Sequence, residues 1–575
     1  MTSDIEKESI DLPPPTAEPA GAEPAVVPPV ARKRFGGYAA LVAAGIMLSR
    51  VAGLLRNVVL AQYLGATGIG DAFTVALKVP NFLQNLLGEG VLSAAFIPVY
   101  SRLLADGKQK VADRVAGVFA SFLLLIVTGI VICGMLLTPY ILAITAPGLT
   151  PDTMALAVKL TRIVFPGVGL LVLFAWALGI LNAHRQFFVS YVAPVLWSAA
   201  IIAALVIFGM RMSGAQLATA AAWGALVGFG LQFAIEIPFV LRHAKYLSFG
   251  FDRSLEPVRA IFRSILPVVG GRGVVQISAY IDTAIATLMG PGALMALTLA
   301  QTIYMLPISV FGMSVANAEL PQMASEQGSQ DEIFSALRRR LARGVRQVSF
   351  FVIPTSVAFV LIGRLLVSAL FQRGALTSDA ATLVWYILCG FALGLVVSTI
   401  GRLYSAAFYA LHDTRTPVRI AMLRVFIGTA LALLFAFPLR PMFGSIADAL
   451  GLHIPHNAGG AAVLGVVGIT LGSAISAWVE YLLLRHRLRQ RIGAGESSVA
   501  YMTKLWIAAI AAGLASMAFD RFAAHEWAAH LPLSRISEAI LVCGLFGVVY
   551  FAVAATLGVP EVRSFLGRFI KRASV

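Results

Sequence analysis

Charged and hydroxyl side chains interrupt two neighbouring apolar stretches near the N-terminus, residues 49–65 and 71–101. They are Ser49, Arg50, Arg56, Asp71, Lys78 and Glu89. A charge near the centre of a membrane helix costs about 2.5–3.5 kcal/mol on insertion scales, so each needs a partner or a water-filled cavity. Guanidinium and ammonium groups placed in this way can bind an anionic group by charge-assisted hydrogen bonds, with the carboxylates as counter-charges.

Helical spacing predicts which faces these residues share. The second stretch has a polar stripe at i, i+3, i+7 and i+11, formed by Lys78, Asn81, Asn85 and Glu89. The first has a face at i, i+4 and i+7, formed by Ser49, Gly53 and Arg56. Because residues at these spacings lie on one side of a helix, two adjacent helices are predicted to line a polar interior.

A structural alternative stays open for these charges. They can snorkel from helix ends or form a closed network of satisfied pairs. Arg50 lies about thirteen residues from the predicted helix start near Gly37, which is deep for snorkelling. The spacing therefore favours a cavity.

Composition indicates an integral membrane protein. The chain has 575 residues, of which 59% are hydrophobic and 13% charged, whereas soluble domains are about a quarter charged. Its cysteines, Cys133, Cys389 and Cys543, lie singly in apolar runs, so neither a disulfide framework nor a metal-ligand cluster is predicted. The net charge of +16 is scattered over short loops, which favours anionic membrane lipids or an anionic substrate over nucleic acid.

An all-α polytopic fold with about 14 transmembrane helices is predicted, because fourteen apolar segments are each long enough to cross a bilayer. These spans are residues 37–64, 69–101, 115–137, 153–181, 187–210, 215–241, 259–289, 292–320, 344–371, 378–409, 417–440, 459–484, 502–520 and 534–557. Nearly every second connection is basic, as in residues 102–114 and 321–347, and the turns between have few or no basic residues. By the positive-inside rule, both termini are predicted to be cytoplasmic.

An internal repeat divides the spans. Pro98 and Pro321 are 223 residues apart and follow equivalent spans, and Pro194 and Pro417 have the same separation. Two six-span lobes related by a parallel repeat are therefore predicted, an architecture typical of transporters that expose a site alternately to each side. The expected divisions are a disordered tail over 1–34, an N-lobe over 35–245, a C-lobe over 246–490, and spans 13 and 14 with a basic tail over 491–575.

The predicted C-lobe has its own internal charges. Span 7 contains Arg272 near its middle, among three glycines, and Asp282 towards its outer end; span 10 contains Arg402. Glycines beside an arginine allow another backbone or a ligand to approach closely. Arg424 and Glu480 lie near the predicted cytoplasmic ends of their spans, where a structural role is expected.

Several segments, in order along the chain, resemble the signature segments of the MurJ/MviN lipid II flippases. They are SRVAGLLRNVVLAQYLGATGIGDAF, KVPNFLQNLLGEGVLSAAFIPVYS, GILNAHRQFFVSYVAPV, LPVVGGRGVVQIS and FYALHDTRTPVRIA. The resemblance covers residues 34–489 and implies movement of an undecaprenyl-pyrophosphate-linked peptidoglycan precursor, lipid II, from the inner to the outer leaflet of the bacterial cytoplasmic membrane for cell wall biosynthesis. It also implies a cationic central cavity for the headgroup and a groove at spans 13 and 14 for the lipid tail.

The resemblance extends to individual positions. Ser49, Arg50 and Arg56 match the family's first-helix serine and arginines, and Arg402 matches a basic position in the tenth helix. Asp71, Lys78 and Glu89 match charged positions of the second helix. The expected substrate-binding set is thus Ser49, Arg50, Arg56, Lys78, Arg272 and Arg402. The expected gating or counter-charge set is Asp71, Asn81, Asn85, Glu89 and Asp282.

The sequence also departs from the family pattern. Gln84, Asn85 and Thr302 stand where many members have arginine, and Met305 stands where the motif has an acid. Arg272 is a basic residue at a position that is often apolar, so it is the expected compensation, unless it only pairs with an acid. Some members hold sodium between helices 7 and 11. Span 11 here offers no carboxylate, so no cofactor or metal is expected, and proton coupling stays open.

Three other functions are weighed against a flippase. A membrane glycosyltransferase needs an acidic metal cluster or an acid/base pair on a loop, and the long loops lack one. A channel needs a filter-like loop, which is also missing. The remaining alternative is a related exporter of another polyprenyl-linked oligosaccharide, of the O-antigen type, or a drug/cation antiporter. A cation exporter should have a cavity dominated by acids, whereas this one is predicted to be basic.

Overall fold

A computed structural model describes the chain at residues 29–252, 254–316, 319, 323, 329–449, 451, 464–493, 499–524, 526–527 and 534–562. Side chains are described for these residues except 29–44, 86–87, 89–91, 93–94, 187, 266–278 and 447. Throughout this part of the chain the regular structure is helical and contains no strand. The predicted all-α class is therefore confirmed.

Nine helices precede the linker at 244–255 and form what we call the N-half. They are α1 (Pro29–Leu64), α2 (Gly68–Leu87), α3 (Glu89–Ala105), α4 (Gln109–Thr145), α5 (Pro151–Val164), α6 (Gly167–Ala183), α7 (Phe187–Gly209), α8 (Gly214–Ala234) and α9 (Ile237–His243). Two predicted spans are each divided into two helices at proline, as at Pro166 between α5 and α6, because proline removes a backbone hydrogen bond.

The helices after the linker form the C-half and a C-terminal pair. The C-half contains α10 (Glu256–Thr287), α11 (Ala293–Pro307), α12 (Gln330–Leu361), α13 (Gly363–Phe371), α14 (Ser378–Ala410), α15 (Arg415–Ala436), α16 (Arg440–Ala449) and α17 (Gly465–Ile492). The pair is α18 (Val499–Phe519) and α19 (Ser534–Thr556). Two π-helical turns continue α11 and α18, at Ile308–Met313 and Asp520–Ala524.

In the described residues, eleven helices are long and apolar enough to cross a membrane. They coincide with eleven of the predicted spans. The other three predicted spans coincide with α1, with α2 and α3, and with α10. The chain is thus a multi-pass membrane protein, and the count of fourteen spans stays a prediction.

Two expectations about the ends of helices were wrong. The second span is not continuous, because α2 ends at Leu87 and α3 begins at Glu89, with Gly88 between them. The i+11 relation of Glu89 to Lys78 therefore does not hold along one helix. The region 321–347, predicted as a loop, is helical from Gln330, where Ser329 and Glu332 form a capping box that starts α12 well before its apolar part.

The apolar helices pack within each half. In the N-half α7 packs against α1 and α8, and α2 packs against α5; in the C-half α17 packs against α14 and α15. The division of the chain into an N-lobe and a C-lobe stays a prediction. The C-terminal pair packs on α12 and α13, with the Tyr550 hydroxyl donating to the Phe350 carbonyl at 2.6 Å.

The linker between the halves lies along α4. Buried Asp113 accepts hydrogen bonds from the Tyr246 backbone N–H at 3.0 Å and from the Tyr100 hydroxyl at 3.1 Å. Asp252 forms an ion pair with Arg114 at 3.1 Å. Hydrogen bonds from Ser254 lower the pKa of Asp252 below its ordinary value, with a further contribution from Arg114. These contacts fix the end of the bundle that we call the linker end.

Candidate substrate site

The two halves meet at the opposite end of the bundle, which we call the closed end, formed by the loops at 65–67, 146–150, 288–292 and 372–377. Asp71, only 1% exposed, accepts hydrogen bonds from the backbone N–H of Gly292 at 2.6 Å and of Met295 at 2.7 Å. These groups belong to the first turn of α11, whose N–H donors have no partner within the helix. A carboxylate of the N-half therefore satisfies a helix start of the C-half.

Close backbone contact accompanies this capping. Gly292 has φ +86°, and a Cβ there would lie 2.1 Å from the Ala66 carbonyl oxygen, so only glycine fits between the loops. The Ala375 N–H donates to the Gln62 carbonyl at 2.7 Å, which adds a second connection between the halves. The interface that α1 and α2 form with α10, α11 and the loop 372–377 is called the seam below.

Lys78 lies in the seam and contacts α10. Its Nζ donates to the buried Thr283 hydroxyl at 2.8 Å, and its backbone carbonyl accepts from the Tyr280 hydroxyl at 2.7 Å. Asp282, next to Thr283, is within electrostatic range of Lys78, and so is Asp71. Lys78 therefore has one acid from each half within electrostatic range, and the counter-charge role of both acids stays a prediction.

Further charged residues of the C-half lie near Asp282. Asp282 also interacts electrostatically with Arg424 on α15, and Arg424 forms an ion pair with Glu480 on α17, with Nη1 and Oε2 2.7 Å apart. The Arg424 and Glu480 side chains are 33% and 15% exposed, so most of the charge pair is removed from solvent. The pair provides Arg424 with a counter-charge, and its purely structural role stays a prediction.

Arg56 has a different environment. Its guanidinium carbon lies 4.3 Å from the centre of the Trp197 ring, and its Nε and Nη2 donate to Asn57 Oδ1 at 3.4 and 3.3 Å. Asn57 in turn donates to the Thr302 hydroxyl of α11 at 2.7 Å, across the seam. No carboxylate within ion-pair distance of Arg56 occurs among the side chains that the structure places.

The remaining predicted residues lie farther from the closed end. Arg50 and Asn85 are exposed, Ser49 and Asn81 are partly buried, and Arg402 is exposed. Arg402 lies within electrostatic range of Tyr304, Arg424 and Glu480, so it belongs to the same C-half charge cluster. The side chains of Glu89 and Arg272 lie outside the described residues. Contact of any of these residues with substrate stays a prediction.

Two residues that contact α1, Trp197 and Thr302, were not predicted from the sequence. Trp197 follows the signature segment that ends at Val195, and an aromatic two residues beyond a motif is the only signal it offers. The sequence shows Thr302 only as a threonine where many family members have arginine. In the structure its hydroxyl accepts the hydrogen bond that joins Asn57 to α11. The two contacts connect residues 141 and 245 apart in sequence, so they have no local pattern.

One signature segment has a structural explanation. In FYALHDTRTPVRIA, Asp413 accepts hydrogen bonds from the N–H groups of Arg415 and Thr416 at the start of α15, at 3.1 and 3.0 Å. Asp413 also pairs with Arg491 of α17 at 2.7 Å. Hydrogen bonds from Thr416 are the largest cause lowering the pKa of Asp413. The motif therefore joins two helices of the C-half at the linker end.

The described residues contain no group of three or more His, Cys, Asp or Glu side chains that could hold a metal ion. The site is instead a seam between two halves, with cations at several depths and acids beside only some of them. Such an arrangement can bind an anion that enters between the halves, and it can change when the closed-end contacts separate.

Comparison with known proteins gives the family. The model of the family "Lipid II flippase MurJ" matches residues 60–538. A protein of Rhizobium tropici named "Probable lipid II flippase MurJ" is 30% identical over 91% of this chain and 94% of its own length.

Two solved structures share the fold. One, described as "Lipid II flippase MurJ, inward closed conformation", has a TM-score of 0.70 and 21% identity over 90% of this chain and 98% of its own. The other, an inward-facing MATE family multidrug transporter of the MOP superfamily, has a TM-score of 0.58 and 16% identity over 80% of this chain and 100% of its own. With the family model covering most of its length, the chain belongs to the MurJ lipid II flippase family.

Proposed function

We propose that this protein is a lipid II flippase of the bacterial inner membrane. It moves the undecaprenyl-pyrophosphate-linked peptidoglycan precursor from the inner to the outer leaflet by alternating access, and it is a transporter and not an enzyme. The observation that carries the proposal is Arg56: a guanidinium next to Asn57, which makes a contact between the halves, with no carboxylate partner among the described side chains. Family membership supplies the substrate class.

The balance of charge at the seam supports an anionic substrate. Lys78 is offset by Asp71 and Asp282, and Arg424 is offset by Glu480. Together these five charged groups carry little net charge. Arg50, Arg56 and Arg402 remain as cations for which the described residues provide no ion pair. A pyrophosphate carries about two negative charges, which in a partly water-excluded site require several cations. We propose that these three arginines, with Arg272, bind it.

The closed end supports alternating access. Hydrogen bonds from Gly292 and Met295 to Asp71 join the halves at one end, while Arg50 and Asn85, in the linker-end parts of α1 and α2, are exposed. The halves also touch nearer the linker end, where Phe262 of α10 contacts Phe119 of α4 with ring centres 5.5 Å apart, so we propose that a substrate headgroup enters beside the exposed parts of α1 and α2. Release at the other side requires the closed-end contacts to break. We propose that the linker end is cytoplasmic and that both termini lie on that side.

Sodium, which other members hold between helices 7 and 11, does not fit the described residues here. The equivalent region contains Asp282, with Arg424 of α15 and Lys78 of α2 within electrostatic range of its carboxylate. Lys78 and Arg424 supply the positive charge beside this acid, so we propose that Asp282 serves as their counter-charge and not as a sodium ligand.

The C-terminal pair is proposed to bind the lipid tail. Helices α18 and α19 pack on α12 and α13, and outward apolar side chains such as Ile510, Leu514 and Val548 are exposed. An undecaprenyl chain is too apolar to follow its headgroup into a charged seam, so it needs an apolar path beside it. Anionic lipid headgroups are the expected counterparts of the basic residues at the linker end.

The second candidate function is export of another polyprenyl-linked oligosaccharide. Because a multidrug transporter shares the fold, a drug/cation antiporter is a further alternative, but the arginines favour an anionic substrate. Complementation distinguishes them: the host flippase is depleted and this chain is expressed. Restored growth with lipid II in the outer leaflet is expected. If the wild-type chain inserts normally but restores neither growth nor outer-leaflet lipid II, the lipid II assignment is rejected.

A further inference from the structure

We propose that Trp197 is a positioning residue for the substrate headgroup, acting through Arg56. The indole holds one face of the Arg56 guanidinium, so that the edge of the guanidinium that carries N–H groups stays available to a diphosphate. The inference rests on the proposed function, since it concerns the same anion. It assigns a role to a residue that no signature segment contains.

The stack is formed by three helices of the N-half. The Arg56 guanidinium carbon of α1 lies 4.3 Å from the centre of the Trp197 ring of α7. That ring also stacks on Phe229 of α8, with centres 5.1 Å apart and planes at 15°. A cation over an indole face is attracted by the negative face of the ring, and tryptophan is the strongest of the aromatic residues in this respect.

The position of the indole is fixed from α8. A Cβ at Gly228 would lie 2.8 Å from the Trp197 Cα and 3.0 Å from its Cδ1, so glycine makes room for the aromatic residue. Phe229, next to Gly228, is 1% exposed and cannot move aside easily. The ring is therefore held in place before any ligand binds.

The indole N–H does not explain why tryptophan stands here. Trp197 Nε1 is buried and has no hydrogen-bond partner among the described residues. Buried tryptophans usually find such a partner, and an unsatisfied donor destabilises the fold. The contact that remains for this side chain is made by its ring faces, with Arg56 and Phe229. Phenylalanine would keep a ring face and remove the unsatisfied donor.

The N–H groups at the edge of the Arg56 guanidinium make few hydrogen bonds in the stack. Its only hydrogen bonds in the described structure are the two to Asn57 Oδ1, at 3.4 and 3.3 Å, which are long for charged donors. Guanidinium donors lie in the plane of the group, so an indole against its face does not block them. This geometry suits bidentate contact with phosphate oxygens, for which arginine is better than lysine.

A double-mutant cycle on binding tests the proposal. Wild type, Trp197→Leu, Trp197→Phe, Arg56→Gln and the Trp197→Leu/Arg56→Gln double variant are purified, and the affinity for undecaprenyl diphosphate is measured in detergent. We expect about tenfold weaker binding for Trp197→Leu and less than about threefold for Trp197→Phe. In the Arg56→Gln background, Trp197→Leu should cause no further loss, because its effect passes through Arg56.

Controls separate positioning from folding. Trp223→Leu removes an exposed indole of α8 away from the stack and should leave affinity unchanged. If Trp197→Leu does not yield folded protein, Trp197→Met provides the same comparison. Unchanged affinity of Trp197→Leu, or an equal loss in both backgrounds, would overturn the positioning role alone. Wild-type affinity of Arg56→Gln would instead overturn the proposed contact of Arg56 with the anion.

Discussion

The Asp71 carboxylate accepts the backbone N–H of Gly292 at 2.6 Å, and this hydrogen bond joins the starts of α2 and α11, which the predicted repeat makes equivalent. Helix α2 begins at Gly68 and α11 at Ala293, 225 residues later, close to the offset of 223 between the paired prolines. Among the described residues, the start of α11 receives a carboxylate from the other half, whereas the start of α2 is capped by the hydroxyl of Thr67 just before it.

Asp71→Ala should weaken the closed end. Two hydrogen bonds to a charged acceptor disappear, so we expect the closed arrangement to lose about 2–4 kcal/mol. Cysteines replacing Gln62 and Ala375, in protein without the three native cysteines, report closure by their rate of disulfide formation. The rate should fall for Asp71→Ala and stay unchanged for Asp152→Ala, an exposed acid of α5. Equal rates in all three proteins would exclude this role for Asp71.

Thr302→Val should destabilise the seam at the depth of Arg56. Valine has nearly the volume of threonine but cannot accept the hydrogen bond from Asn57, so we expect a loss of about 1 kcal/mol in the free energy of unfolding. Thr298→Val is the matched control, because the Thr298 hydroxyl donates only within α11, to the Leu294 carbonyl. Thermal unfolding in detergent compares them. A similar change in both variants would mean that the bond across the seam adds nothing.

Glu480→Gln should destabilise the C-half. The substitution leaves the partly buried Arg424 without its ion-pair partner, for a cost of about 2 kcal/mol. Replacing both residues by leucine removes the uncompensated charge and should recover most of the stability. Unfolding in denaturant measures both. If the double leucine variant does not recover stability, the two residues also bind a third group and their role is not purely structural.

Asp413 should stabilise the protein in a pH-dependent way. Its pKa is lowered in the folded state, chiefly by hydrogen bonds from Thr416, so its stabilisation is present above the unfolded pKa of about 3.9 and is lost as pH falls through the folded pKa. The melting temperature of Asp413→Asn should lie below that of wild type at pH 6. The difference should shrink towards pH 3. A difference independent of pH would contradict this origin.

Arg272→Ala should abolish transport, and Arg272→Lys should weaken it without affecting expression. The expectation follows from the sequence, where Arg272 is the basic residue that compensates for Gln84, Asn85 and Thr302, and from the bidentate contact that lysine cannot make. Complementation measures transport, with Arg263→Ala, an exposed residue of the same helix, as control. Rescue of Arg272→Ala by neutralising Glu89 or Asp282 would show that Arg272 serves only as a counter-charge.

Composition and hydropathy alone determined the class of this protein. Apolar runs that must span a bilayer have no folded form other than a helix when they are not part of a closed barrel, so an all-α membrane fold followed from the sequence. The charges in α1, α2 and α10 also indicated a polar interior, because insertion of isolated charges is costly.

Only the tertiary structure decided which groups meet. Asp71 was expected to be a counter-charge, and its contacts proved to be backbone N–H groups of α11, which the sequence does not show because every residue but proline has one. Gly88 divides the second predicted span into α2 and α3, and hydropathy did not show this break because both sides of it are apolar. Trp197 and Thr302 lie near Arg56 and Asn57 through long-range contacts, and helical periodicity describes the faces of one helix without specifying which helix lies opposite.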